Sequence, residues 1–121
     1  MTEDNPLSGC RILVVEDNYL QAADTCDWLR QAGAEIVGPT GDANEARRLI
    51  EQERVDRAVI DINLGAGPVY DVAASLEERN VPFLFATGYD EQILPPRFQS
   101  VPRVEKPFHG PGLVRAVSAL G

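Results

Sequence analysis

The chain has 121 residues, 44% of them apolar, which suits one domain with a single closed core and leaves no room for a second folded module. Nineteen acidic residues against eleven basic ones give a formal charge of −8, and the ten arginines are scattered, so unspecific contact with nucleic acid or anionic lipid is disfavoured. Two cysteines without metal-ligand spacing, a polar start, and no apolar run near the roughly 20 residues that span a bilayer point to reduced thiols in a cytoplasm and no membrane location.

Taken in chain order, residues 1–9 are expected to be a flexible tail ahead of one domain over 10–121. Residues 12–15 form a first apolar strand, and Leu20, Ala23, Trp28 and Leu29 mark a helix over about 18–32, interrupted by Asp24 and Asp27 and ended by Gly33. A second strand is read over 35–37. Asp42 with Glu45 three residues later resembles a capping box, opening a helix whose apolar face is Ala43, Ala46, Leu49 and Ile50. A strand over 58–60 precedes a helix marked by Val69, Val72, Ala73 and Leu76, and a strand over 82–86 follows. After Thr87, residues 90–94 have space for barely a turn before Pro95 and Pro96 remove two donors, so a fourth helix is short or missing. A last strand over 101–104 leads to a helix marked by Leu113, Ala116, Val117 and Leu120.

Short apolar runs without polar alternation, rich in β-branched residues, are strands covered on both faces. Alternated with helices they make a doubly wound α/β sandwich around a five-stranded parallel sheet. Ligands of such sheets bind outside the carboxyl ends of the strands. The strands end there in Glu16 and Asp17, in Asp61, in Thr87, and in Lys106, the one lysine of the chain.

Grouped carboxylates repel one another unless a cation neutralises them, and a hard divalent ion with oxygen ligands does so. Asp17 and Asp61 are the candidate direct ligands of Mg²⁺, with Glu16 acting through water. Three carboxylates are then balanced by the ion and the Lys106 ammonium. A phosphoryl group added to this rim would be met by Lys106, by the metal and by the Thr87 hydroxyl. The arrangement therefore suggests a phospho-acceptor. Each residue alone has a plainer reading, as solvated surface for Glu16 and Asp17, a cap for Asp61, a turn at Thr87 and a surface charge at Lys106.

Over nearly its whole length the chain resembles the receiver domain of two-component response regulators. The resemblance rests on Glu16-Asp17 after the first strand, Asp61 in Asp-Ile-Asn-Leu, Thr87 in Phe-Ala-Thr-Gly, and Lys106-Pro107. It implies a flavodoxin-like (βα)5 fold and Mg²⁺-dependent transfer of phosphate to Asp61 from a sensor histidine kinase or phosphotransfer protein. It also implies a backbone carbonyl ligand at Asn63, pairing of Lys106 with the phosphoryl oxygens, a cis Lys106-Pro107 bond, and movement of Thr87 toward the phosphoryl group. Such a chain is no enzyme beyond its own phosphotransfer and autodephosphorylation. With no DNA-binding region after residue 121, it is expected to signal as a monomer or weak dimer through an unidentified protein partner.

Three departures qualify the pattern. Many members of the family carry an aromatic three residues before the lysine, where Arg103 stands here, and Tyr89 is a candidate substitute. Phe85-Ala86-Thr87-Gly88 resembles a subgroup of single-domain receivers, but Tyr89 comes one position early. Pro95-Pro96 remodels the fourth-helix surface. Alternatives are a phosphate sink for a shared kinase, a non-catalytic pseudo-receiver, and an aspartyl phosphatase, the last disfavoured because Asn63 cannot act as its general acid.

Overall fold

The computed structural model describes residues 5–62, 69–88 and 95–120. Five strands, β1 (Arg11–Val15), β2 (Glu35–Thr40), β3 (Arg57–Asp61), β4 (Phe83–Thr87) and β5 (Arg103–Glu105), form one parallel sheet in the order β2-β1-β3-β4-β5. This is the doubly wound order expected of the sequence. Helices α1 (Tyr19–Gln31) and α4 (Gly110–Ser118) cover one face, and α2 (Ala43–Gln52) and α3 (Val69–Glu78) the other.

Strand alternation divides the core in two. Leu13, Val15, Ile60, Phe83 and Phe85 pack with α2 and α3, while Ile12, Val14, Val59 and Leu84 pack with Leu29 of α1 and Leu113 and Val117 of α4. Because β1, β3 and β4 are covered on both faces, their central residues 12–15, 58–60 and 83–86 are all apolar and read as unbroken runs, with polar residues only at the strand ends.

The helix ends follow local chemistry. Asn18 caps α1 by accepting from the Gln21 N–H, and Asp42 caps α2 by accepting from the Asn44 N–H. Glu45 does not reach back to Asp42 as a capping box would. It accepts from the Thr40 hydroxyl at 3.0 Å, and that hydroxyl in turn accepts from the Asp42 N–H at 3.1 Å. Gly33 (φ +102°) and Asn80 (φ +58°) end α1 and α3 in the left-handed region, with the Ala34 N–H returning to Leu29 and the Val81 N–H to Leu76.

Several sequence expectations need correction. The buried stripe of α1 is Ala22, Thr25, Cys26 and Leu29, whereas Leu20 is 72% exposed and Ala23 also faces solvent. Leu29 is inward as expected and Trp28 packs against the same core, but a threonine and a cysteine hold two of the inward positions, so the stripe has no clear apolar periodicity. β2 continues past Val37 through Gly38-Pro39 to Thr40. Both residues face Val14 across a register shift, and Pro39 is tolerated because β2 is an edge strand. Strand β5 starts at Arg103, two residues later than expected, and Val101 packs on the core from outside it.

Residues 5–9, expected to fray, instead turn over the end of α1. Leu7 is fully buried among Leu29, Ala32 and Leu120, and its N–H donates to the Ala32 carbonyl at 2.9 Å. Between β4 and β5 the described residues form one 3-10 turn, Pro96–Phe98, in keeping with a short or missing fourth helix. Residues 90–94 lie outside the described residues, as do Asn63 and Tyr89. Among the described residues no helix is long and apolar enough to cross a membrane.

Candidate functional site

Pairing in the sheet places Val15 beside Ile60, Asp61 beside Ala86, and Thr87 beside Glu105. The residues that follow or end these strands therefore share one rim. Glu16, Asp17 and Asp61 each offer a carboxylate oxygen, and these oxygens lie within 4.8 Å of one another. Lys106 Nζ lies 3.2 Å from Glu16 Oε1 and 3.2 Å from Asp61 Oδ2, joining residues 90 positions apart. The Lys106 N–H donates to the Thr87 carbonyl at 2.8 Å, which fixes the start of the lysine's loop against the end of β4. Five of the six residues singled out in the sequence thus converge, and the sixth, Asn63, lies outside the described residues.

Burial sets the electrostatics. Glu16 and Asp61 are only 7% and 3% exposed, while Asp17 is exposed at the lip. Loss of water around Glu16 is the main cause that raises its pKa from 4.5 to about 7. The hydrogen bond and negative charge of Asp61 add to the rise, and the Asn18 N–H (3.1 Å) and Lys106 oppose it. When all three carboxylates are ionised they exceed the one ammonium by two negative charges in a half-closed hollow, which is the state that a cation would favour. That excess and the all-oxygen donor set fit a divalent hard cation such as Mg²⁺.

Thr87 is buried at the end of β4, and its hydroxyl points to the Val104 carbonyl at 3.5 Å, a weak contact that leaves its hydrogen-bonding capacity largely unspent. The Lys106-Pro107 bond is cis, as the resemblance implies, and Gly38-Pro39 is a second cis bond that no sequence signal marked. Sequence reasoning also missed Gly41. A Cβ there would lie 2.7 Å from Asp17 Cα, so the bare backbone of this residue lets the β2–α2 loop close against the acidic pair. A cavity of about 220 Å³ adjoins the rim, lined by Gln21, Asp24, Trp28, Lys106 and Phe108 among others, whereas the larger one of about 600 Å³ opens at the opposite end of β4.

A parallel five-stranded α/β domain with a carboxylate hollow and a lone lysine at its carboxyl rim defines the class. The family model of the response regulator receiver domain matches residues 12–117, and the chain belongs to that family, the receiver domains of two-component signalling. It is 29% identical over 111 residues to the transcriptional regulatory protein PdtaR of Mycobacterium tuberculosis, covering 88% of this chain and 54% of PdtaR, so it spans about half the length of the curated relatives it matches. The solution structure of SdrG from Sphingomonas melonis is 33% identical, with a TM-score of 0.76, over 90% of this chain and 93% of that one. The crystal structure of the response regulator PhyR from Brucella abortus is 25% identical, with a TM-score of 0.74, over 96% of this chain and 49% of that one.

Proposed function

We propose that Asp61 accepts a phosphoryl group from the phosphohistidine of a sensor kinase or phosphotransfer protein. The observation that carries this reading is the Lys106 ammonium held 3.2 Å from both Asp61 and Glu16 in a hollow of three carboxylates. An Asp61 oxygen attacks phosphorus, the phosphorus–nitrogen bond breaks, and the electron pair leaves on the imidazole, which takes up a proton. Lys106 follows the transferred charge, moving its interaction from the carboxylate to the phosphoryl oxygens. Thr87 contributes one hydroxyl donor. Asp17 and Asp61 directly, Glu16 through water and the Asn63 carbonyl would hold Mg²⁺, which when bound neutralises charge on the phosphoryl oxygens.

The chemistry takes place on the protein's own side chain, so the chain is a signalling element and not an enzyme that turns over a substrate. The modified protein then acts through contacts with a protein partner. Incubation with a small-molecule phosphodonor and Mg²⁺ should add one phosphoryl group, located on Asp61 by peptide mass spectrometry and lost in Asp61→Asn. Unmodified wild type, or phosphate on another residue, removes the reading. A protein captured by the phosphorylated chain and not by Asp61→Asn supports signalling; equal capture by both argues against it.

A further inference from the structure

The acceptor's strand and the strand of Thr87 each lead into a segment outside the described residues, and the next described residues on the two sides meet. Tyr70, in the first turn of α3, stacks on Phe98 of the 3-10 turn with ring centroids 5.5 Å apart and planes 14° apart. Both rings stand edge-on to Phe85, at 6.3 Å and 6.1 Å. Phe85 lies two residues before Thr87 on β4, so the two side chains leave the strand on the same face. The contact is reinforced from outside: the Arg97 guanidinium lies 5.2 Å from the Phe98 ring centroid and pairs with Glu77 of α3 at 3.0 Å. At the position three residues before Lys106, Arg103 is exposed and no aromatic ring stands there.

We propose that the Tyr70–Phe98 stack, seated on Phe85, transmits the state of Asp61 to the 3-10 turn, and with it to the surface formed by that turn and α3. The inference rests on the reading of Asp61 as phospho-acceptor. Stacked rings in a close-packed core do not deform gradually; they hold one arrangement or exchange it for another. A hydroxyl drawn from Val104 toward a phosphoryl group moves Thr87, and the side chain next to it on that face of β4 is Phe85. Because Tyr70 lies downstream of Asp61 and Phe98 downstream of Thr87, the stack joins the described chain that follows each of these two residues. An element biased from two sides in this way is the physical requirement for coupling.

The test is amide hydrogen exchange over residues 95–105, with and without Mg²⁺ and beryllofluoride, a mimic of the acyl phosphate. In wild type the ligand should change exchange there at least about tenfold. Tyr70→Leu should abolish that change and Tyr70→Phe should keep it, while both variants still bind beryllofluoride; because coupling is reciprocal, the affinity of Tyr70→Leu should shift by no more than the factor lost in exchange, and that of Tyr70→Phe should stay within about twofold. Phe98→Met gives a second way to remove the stack, and unchanged exchange in β1 and β3 certifies the fold. A wild-type response that persists in Tyr70→Leu and Phe98→Met overturns the coupling role, as does a wild type that binds beryllofluoride without change over 95–105. Failure of wild type to bind beryllofluoride at all instead overturns the acceptor reading on which this one rests.

Discussion

At the scale of the residue, burial of Glu16 makes the stability of the fold depend on pH. Its carboxyl group binds a proton more tightly when folded than when unfolded, because burial and the neighbouring Asp61 disfavour its charge. Between pH 4.5 and about 7 the folded state therefore holds more protons than the unfolded state, and stability falls as pH rises through that window. The loss is complete above the folded pKa. In chelator, the melting temperature of wild type should drop by several degrees from about pH 5 to about pH 7.5, and Glu16→Gln should flatten that decline, since a neutral amide carries no such linkage. A wild-type profile that is flat, or that rises over this window, would show that Glu16 is not held against ionisation. Lys106 opposes the rise in the Glu16 pKa but does not cancel it, because its attraction is the weakest of the influences on that carboxyl and burial the strongest.

At the scale of the element, the N-terminal segment carries the clearest mechanical consequence. Leu7 fills a fully buried position between α1 and the end of α4, and its backbone is tied at both ends, to the Ala32 carbonyl and to the Cys10 N–H. Leu7→Ala should cost roughly 2–5 kcal/mol in urea unfolding, the range for a buried leucine truncated in a core. A loss under about 0.5 kcal/mol, typical of exposed positions, would return this segment to the status of a tail. The sequence signal for it was weak because one leucine among Asn5, Pro6, Ser8 and Gly9 has no periodicity to read. The same reason separates the legible elements from the others. β1, β3 and β4 are buried on both faces and α3 has four inward apolar residues at helical spacing, so pattern and burial coincide. β2 and β5 are edges, where Gly38-Pro39 and Arg103-Val104-Glu105 satisfy a half-covered environment that composition does not distinguish from a loop. The charged residues that meet at the rim were legible for a related reason. Charged residues directly after buried strands are conspicuous in sequence, whereas the positions that support them, Gly41 against Asp17 and Thr40 against Glu45, look like ordinary loop residues.

At the scale of the whole molecule, the strand order is what makes the site. Placing β1 between β2 and β3, with β4 and β5 beyond, sets four carboxyl strand ends side by side, so Glu16 and Lys106 meet across 90 positions of chain. An acidic hollow assembled only by folding couples metal binding to global stability, because the unfolded chain holds no comparable cluster. The formal charge of −8 adds a diffuse repulsion that ordinary salt screens, with a Debye length of about 8 Å at 0.15 M. The two contributions separate experimentally. In a background of about 0.15 M salt, Mg²⁺ should still raise the melting temperature along a saturating curve, by an amount corresponding to about 2.7 kcal/mol at a hundredfold excess over its dissociation constant. Asp17→Asn, which removes one carboxylate charge at the exposed lip and leaves both cores intact, should move that curve to higher Mg²⁺ concentration by at least about tenfold. An equal response from wild type and Asp17→Asn, or one matched by NaCl at the same ionic strength, would mean that the ion screens the molecule's overall charge and does not occupy the hollow.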